Sequence, residues 1–240
     1  MNSNKLVLFD IDGTMIRPLR PMDALQRFRY GIQKVFGKDM GEITKERWEA
    51  GNYNGTVDRH IIWSMIKDLE IPRDHFIDNL GAIGDALIEY LEKISSDIRL
   101  YEMIPEAKKL VDLTVNAEHL SEGVLTGNII QVAQWKLHAT GYPSFAFGVF
   151  GNEADTRIDL AKLVMPKSQT YFNRQFAPQD IIVIGDTVHD IACARAIGAQ
   201  VVVVSTGWDV PKEDLKRAKP DLLVDSLMDE RLLSLLGLAV

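Results

Sequence analysis

The residues best suited to chemistry begin with a pair of aspartates near the N-terminus. A short apolar run, residues 5–9, leads into Asp10 and Asp12, which Gly13 and Thr14 follow. If the run is a strand of a parallel sheet, both carboxylates lie in the crevice where open α/β sheets bind their ligands. Gly13 would allow the backbone to turn sharply there. A simple loop cap accounts well for one aspartate, but poorly for two acids with Gly-Thr behind them.

A second pair of acids, Asp186 and Asp190, follows another apolar run at residues 181–184. Carboxylates at the ends of adjacent strands would converge, and their repulsion is costly unless a cation is bound. Oxygen ligands without a cluster of His or Cys favour Mg²⁺ over zinc. The sequence therefore predicts a magnesium site, although Asp190 also fits the N-terminal cap of a helix.

Between the two pairs, Thr126, Gly127 and Asn128 stand at a predicted strand end just before a helical segment. A hydroxyl, a backbone amide and the positive end of a helix together suit a phosphate oxygen. Taken alone, Thr-Gly-Asn is more often a simple turn.

The elements that would position these residues are short buried strands alternating with helices. Continuously apolar runs bounded by Gly, Asp or Ser are typical of strands that are covered on both faces of a parallel sheet. They are predicted at residues 5–9, 123–125, 181–184, 201–204 and 221–224. A helix at 190–196, which ends at Gly198, makes a βαβ unit with the strands on either side of it.

The stretch at residues 21–95 has a different pattern. Its apolar residues recur with helical spacing in three segments, and no strand-like run interrupts them. We therefore predict an all-helical insert at residues 17–97, placed between the first strand and the rest of an α/β core formed by residues 1–16 and 98–240.

Composition narrows the class of protein. The 240 residues are 46% hydrophobic and 25% charged, which is ordinary for a globular chain. A net charge of −7 argues against a general binder of nucleic acid or anionic membranes, which needs a basic surface. The single cysteine, Cys193, allows no internal disulfide. With no signal peptide and no membrane-length apolar segment, we expect a cytoplasmic protein. The sequence leaves the oligomeric state open.

Taken together, three motifs carry a family resemblance. Residues 10–14, 126–128 and 185–190 resemble, in order and spacing, the first, second and fourth motifs of the haloacid dehalogenase superfamily of hydrolases. The resemblance covers essentially the whole chain, because the helical insert at 17–97 stands where this superfamily places its mobile cap. It implies a Rossmann-like parallel sheet with helices on both faces, and we call residues 17–97 the cap.

The resemblance also implies roles for individual residues. Asp10 would be the nucleophile that receives the phosphoryl group as an aspartyl-phosphate. Asp12 would be the general acid for the leaving alcohol and then the base for water. Thr126 would hold phosphoryl oxygens. Asp186 would bind Mg²⁺ together with the Asp10 carboxylate and the Asp12 backbone carbonyl, with Asp190 supporting these ligands.

The superfamily's third motif is a basic residue, usually Lys, that offsets charge around the nucleophile and the phosphate. We assign it to Arg157, because this residue follows a loop expected at another strand end and has the spacing of the family. Arg is chemically suitable, since its fork binds carboxylate and phosphate. Lys162 is the alternative.

For substrate recognition, residues 54–59 resemble the cap loop of phosphoglycolate-phosphatase-like members and point to Gly55 and Asp58. Those members usually have Thr before the Asp, where this chain has Val57, which departs from the pattern for phosphoglycolate. The loop fits equally well a simple helix start. Arg17 could reach a second anionic group or line the hinge, and Trp208 could border the site from a loop.

The resemblance implies a Mg²⁺-dependent phosphatase that acts on a small phosphorylated metabolite. Asp12 favours phosphoryl transfer over dehalogenation, because a departing halide needs no proton. A phosphomutase of the same superfamily, similar to beta-phosphoglucomutase, is an alternative that the motifs cannot separate. A phospho-accepting signalling receiver is a further alternative, but such domains are shorter and lack the helical insert.

Overall fold

The computed structural model describes residues 4–207 and 210–238, and Trp208 lies outside them. The main sheet has six strands in the order β5-β4-β1-β6-β7-β8, and all neighbouring pairs are parallel. Its strands are β1 (Lys5–Phe9), β4 (Leu120–Leu125), β5 (Gly148–Val149), β6 (Ile181–Gly185), β7 (Gln200–Val204) and β8 (Leu222–Val224). A separate antiparallel ribbon joins β2 (Ile16–Pro18) to β3 (Tyr101–Met103).

Helices cover both faces of the main sheet. The helices of the core are α7 (Pro105–Val115), α8 (Ile130–Ala139), α9 (Arg157–Lys162), α10 (Val164–Phe172), α11 (Val188–Ile197), α12 (Lys212–Arg217) and α13 (Glu230–Leu236). Along β1, Val7 and Phe9 pack into one apolar cluster with α7, α8 and α13. Leu6 and Leu8 pack into a second cluster with α9, α11 and α12. This alternation explains why β1 is continuously apolar.

All six helices of the cap lie between β2 and β3. They are α1 (Pro21–Leu25), α2 (Arg27–Phe36), α3 (Lys45–Gly51), α4 (Asp58–Ile66), α5 (Arg73–Asp78) and α6 (Leu80–Ser95). Their buried side chains join the same apolar cluster as one face of the sheet. The fold class predicted from the sequence, an α/β parallel sheet with a helical cap, is confirmed.

Element boundaries differ from the sequence-based expectation in small ways. The strand expected at 123–125 begins at Leu120, and the helix expected at 190–196 spans Val188–Ile197. The ribbon of β2 and β3 was not predicted, because three residues are too few to establish an alternating pattern. No helix among the described residues is long and apolar enough to cross a membrane.

Candidate active site

Three strand ends bring the predicted motif residues together. Asp10 follows β1, Thr126 follows β4 and Asp186 follows β6, and β1 lies between the other two strands. The Asp10 amide donates to the Ile184 carbonyl (2.9 Å), which extends the register of the sheet to Asp10. The carboxyl ends of neighbouring parallel strands form the crevice in which α/β proteins bind ligands.

A cluster of three buried acids occupies this crevice. Carboxylate oxygens of Asp10, Asp186 and Asp190 all lie within 4.8 Å of one another. Two main effects raise the pKa of Asp10 to about 8: burial of the carboxyl, which is the larger, and repulsion from Asp190. The positive charge of Arg157 opposes this shift. Burial and the same repulsion raise the pKa of Asp186 well above its ordinary value. Buried oxygen donors that repel one another fit a divalent cation, whose charge would offset the repulsion.

Asp190 has a different role from the other two acids in this geometry. Its Oδ2 accepts from the Thr187 hydroxyl (2.7 Å) and the Thr187 amide (3.0 Å), which closes a capping box at the start of α11. Its Oδ1 accepts from Arg157. A cavity lies between the strand ends and the cap. Asp10 and Asp186 line it, whereas Asp190 is not among its lining residues. The geometry therefore favours Asp190 as a support for the ligand set.

Arg157, rather than Lys162, reaches the acids. It lies in the first turn of α9, is 8% exposed, and places Nη1 3.5 Å from Asp10 Oδ1. Lys162, the last residue of the same short helix, is exposed and pairs with Asp159. The structure thus brings Arg157 to the position expected of the third-motif base.

Asp12 is held by a buried lysine that the motif pattern did not indicate. Lys136 Nζ lies 2.8 and 2.7 Å from the two Asp12 oxygens and 2.8 Å from Asn128 Oδ1. Burial disfavours the Asp12 carboxylate, but the charge and hydrogen bonds of Lys136 outweigh it, so the pKa of Asp12 is lowered. Lys136 also lies over the Tyr101 ring, 4.9 Å from its centroid.

Asn128 connects this pair to the predicted phosphate loop. Its Nδ2 donates to Asp12 Oδ2 (2.7 Å) and to Thr126 Oγ1 (2.9 Å). Thr126, directly after β4, is fully buried, and Thr126, Gly127 and Asn128 all line the cavity. The hydroxyl expected to bind phosphate is therefore fixed relative to the acid–base candidate Asp12.

Gly13 makes room for the acid cluster. Its φ of +90° is unfavourable for residues with a side chain, and a Cβ would lie 2.0 Å from Asp186 Oδ2. The next residue, Thr14, donates its hydroxyl to Asp186 Oδ1 (3.2 Å). Gly13 and Thr14, which follow the first acid pair, thus position Asp186, the acid that follows the neighbouring strand β6.

The cap contacts the phosphate loop directly. The Asp58 amide donates to the Gly127 carbonyl (2.7 Å), and Asp58 Oδ2 accepts from the Ile129 amide (2.9 Å). Gly55, with φ of +72°, packs against His189 so closely that a Cβ would lie 2.3 Å from the imidazole. Gly55 and Asp58 both line the cavity, as expected for residues that face a substrate.

Arg17 is not brought to the site. It extends from β2 to an exposed ion pair with Glu102 on β3 (3.3 Å) and is not among the residues that line the cavity. The antiparallel ribbon carries this side chain outward, which sequence patterns could not reveal.

Two buried cations at the cavity, Lys136 and Arg27, were missed by the sequence analysis. Lys136 stands on the buried face of α8 with Val132, Ala133 and Leu137. A lysine at such an apolar position is a signal for a buried partner, and it could have identified the residue. Arg27, in the first turn of α2, is 4% exposed and lies 3.5 Å from Asp58.

Comparisons with known proteins show the family to which the chain belongs. The HAD-hydrolase-like family matches residues 159–229. A phosphoglycolate phosphatase from Nitrosococcus oceani is 37% identical over 226 residues, which cover 94% of this chain and 94% of that protein.

Two solved structures share the fold. A crystal structure of a predicted phosphoglycolate phosphatase from Haemophilus somnus has a TM-score of 0.65 at 19% identity and covers 98% of this chain and 99% of its own. CbbY from Rhodobacter sphaeroides, solved in complex with phosphate, has a TM-score of 0.69 at 16% identity and covers 98% and 99%. The chain therefore belongs to the haloacid dehalogenase (HAD) superfamily of hydrolases, in its phosphoglycolate-phosphatase-like group.

Proposed function

We propose that this chain, a HAD-like phosphatase, hydrolyses a small phosphomonoester through an aspartyl-phosphate on Asp10, with Mg²⁺ as its cofactor. The observation that carries the proposal is the convergence of Asp10, Asp186 and Arg157 on one cavity beside the buried Thr126 hydroxyl. The resemblance to a named phosphoglycolate phosphatase supports the same reaction class.

The acid cluster supports a Mg²⁺ site. Asp10 and Asp186 would hold the ion with their carboxylates and Asp12 with its backbone carbonyl, while Asp190 keeps Arg157 and the start of α11 in place. When bound, Mg²⁺ supplies positive charge that offsets the acids and polarises the phosphoryl group. Oxygen donors without His or Cys among the clustered residues favour this ion over zinc.

In the first half of the reaction, an Asp10 carboxylate oxygen bonds to phosphorus while the bond from phosphorus to the alcohol oxygen breaks. The departing alkoxide takes a proton from Asp12, which must carry one at that moment. Arg157 and the Thr126 hydroxyl would hold the phosphoryl oxygens during the transfer. The result is a free alcohol and an acyl phosphate on Asp10.

In the second half, water replaces Asp10 on phosphorus. Asp12 accepts a proton from the water as its oxygen bonds to phosphorus, and the bond to Asp10 breaks to release phosphate. Lys136 favours the ionised form of Asp12, which is the form that this step requires. The Asp12 proton is thus restored for the next cycle.

The test is phosphate release from p-nitrophenyl phosphate with Mg²⁺. We expect EDTA to abolish it and Asp10→Asn to lower kcat by about 10⁴-fold or more, since a lost nucleophile is not replaced by the remaining groups. Asp112→Asn, at an exposed acid paired with Lys108, is the matched control and should keep full activity. Turnover by Asp10→Asn at the native rate would refute the proposed nucleophile.

A second assay, with a hexose phosphate as the substrate, addresses the phosphomutase alternative. A mutase returns the phosphoryl group to a sugar phosphate, so it would isomerise a hexose phosphate without net release of phosphate. Stoichiometric release of phosphate and alcohol supports hydrolysis.

A further inference from the structure

The cavity above the acids is much larger than a phosphoryl group needs. It measures about 510 Å³ and extends from the strand ends into the cap. Its floor consists of Asp10, Asp12, Lys136, Arg157 and Asp186. We call six apolar cap residues that line the cavity the cap-side wall; they are Pro21, Met22, Leu25, Trp48, Tyr53 and Ile61. Polar cap residues line the same cavity, namely Arg27, Lys45, Glu49, Asn54, Thr56 and Asp58. The space for the alcohol half of a substrate therefore has a large apolar surface beside paired charges.

The cap residues at this cavity offer no unpaired positive charge. Arg27 pairs with Asp58 (3.5 Å), and both side chains are buried. Lys45 pairs with Glu49 (3.7 Å) at the exposed rim. Among the described lining residues, the two remaining cations, Lys136 and Arg157, also pair with carboxylates. A carboxylate on the alcohol half would lose its hydration and would have to compete with Asp58 or Glu49 for a cation.

The aromatic part of the cap-side wall is arranged for packing. The Trp48 and Tyr53 rings lie 5.2 Å apart, and both side chains are half-buried. The Trp48 indole N–H donates to Asn54 Oδ1 (2.7 Å), so its polar atom is already satisfied. A partly exposed ring whose polar atom already has a partner is stabilised when another apolar or planar group covers it.

We propose that the substrate is a phosphomonoester whose alcohol half carries an uncharged apolar or aromatic group, which packs against Trp48 and Tyr53. This inference rests on the proposed phosphatase function and refines it. It places phosphoglycolate, whose second group is a carboxylate, among the poorer substrates of this chain. The preference arises from the balance of charges and apolar surface in the cap.

The test compares kcat/KM for benzyl phosphate, glycerol 3-phosphate and phosphoglycolate. Each releases an alcohol that needs a proton, so the comparison isolates recognition of the alcohol half from leaving-group chemistry. We expect benzyl phosphate to exceed both others by about tenfold or more, the scale on which an apolar pocket discriminates. A higher value for phosphoglycolate would overturn the inference while leaving the phosphatase function intact. No phosphate release from any substrate, p-nitrophenyl phosphate included, would instead overturn the proposed function.

A pair of tryptophan variants locates the preference. Trp48→Ala should lower the ratio of benzyl phosphate to glycerol 3-phosphate by about tenfold, because it removes an aromatic contact. Trp63→Ala is the matched control, since Trp63 packs on Phe76 within the cap and does not line the cavity. If thermal melting shows that Trp48→Ala does not fold, Tyr53→Ser is measured in its place. An unchanged ratio in a folded variant would contradict the proposal.

Discussion

At the floor of the cavity, charged side chains hold one another through short contacts, whereas the cap-side wall presents rings and aliphatic groups. The Asp12 carboxylate, for example, receives Lys136 on both oxygens, and Arg157 spans Asp10 and Asp190. Trp48 and Tyr53, by contrast, are half-buried and make no ion pair. A charged network loses its function when one member is removed, because the partner is left uncompensated. An apolar wall tolerates replacement and changes selectivity instead. Under the proposed function, the floor determines the reaction and the cap-side wall determines which substrate is preferred.

Apart from loss of the Asp10 nucleophile, the largest effect is expected from removing the buried guanidinium of the floor. Arg157→Met leaves Asp10 and Asp190 without their cation, so we expect kcat to fall by about 10²- to 10³-fold and stability to fall by about 3 kcal/mol in EDTA. Urea unfolding and phosphate release measure the two effects. Lys162→Met, at an exposed pair on the same helix, should change neither. Equal behaviour of the two variants would show that the floor does not depend on Arg157.

A smaller effect is expected from a methyl group added beneath the acids. Gly13→Ala would push against Asp186, so the Mg²⁺ concentration for half-maximal activity should rise by about 10- to 100-fold. Gly141→Ala provides the control, because Gly141 has a similar φ of +82° but open space around its Cβ position. Both variants share the backbone strain, and the difference between them measures the clash alone. If the Mg²⁺ concentration for half-maximal activity rises as much in Gly141→Ala as in Gly13→Ala, backbone strain and not the clash with Asp186 is the cause.

Lys136 offers a way to test whether floor contacts serve the chemistry or only the packing. Lys136→Met removes the contacts that orient the Asp12 carboxyl. Although Asp12 would then protonate more readily, its proton is no longer held towards the leaving oxygen, so kcat/KM for benzyl phosphate should fall by about tenfold, whereas p-nitrophenyl phosphate, which releases a stable phenolate, should change by about threefold or less. The ratio kcat/KM reports the step that forms the acyl phosphate. Lys167→Met, at a lysine paired with Glu153, should leave the ratio of the two substrates unchanged. An equal loss on both substrates would indicate a structural role.

The smallest expected effect lies at the rim of the cap. Glu49→Gln removes the partner of Lys45 and leaves a free cation beside the cavity. At low salt we expect kcat/KM for phosphoglycolate to rise by about twofold and that for benzyl phosphate to stay constant, since exposed charges contribute little. A larger gain for benzyl phosphate than for phosphoglycolate would contradict the view that paired charges keep the wall neutral.

The floor was largely predictable from sequence, and the reason is geometric. Strand ends are marked by the change from apolar to acidic residues, and neighbouring strands then bring Asp10, Thr126 and Asp186 to one edge. Lys136 was not predicted, because it reaches the site from the middle of a helix and belongs to none of the motifs. The fold class was predictable for the same reason as the floor, since continuous apolar runs are typical of buried parallel strands.

The cap-side wall was much less predictable. Trp48 and Tyr53 belong to a short helix and the loop after it, and their approach to the strand ends depends on how the whole cap packs. Arg17 illustrates the same limit, because the pairing of β2 with β3 directs it to Glu102 and away from the cavity. Contacts between segments distant in sequence leave no local pattern. The roles of individual site residues and the limits of the cap at 17 and 97 stay predictions.

The ribbon of β2 and β3 has a consequence for how such a protein can diversify. It joins the points where the chain leaves the core and returns to it, so the ends of the insert are held together by backbone pairing that involves none of the cap helices. Because closing a longer loop between fixed ends costs little additional entropy, helices can be lengthened or exchanged there as long as apolar side chains still cover the face of the sheet on which the cap packs. New substrates could thus be acquired by replacing one continuous stretch of the gene, while the machinery at the strand ends is inherited unchanged.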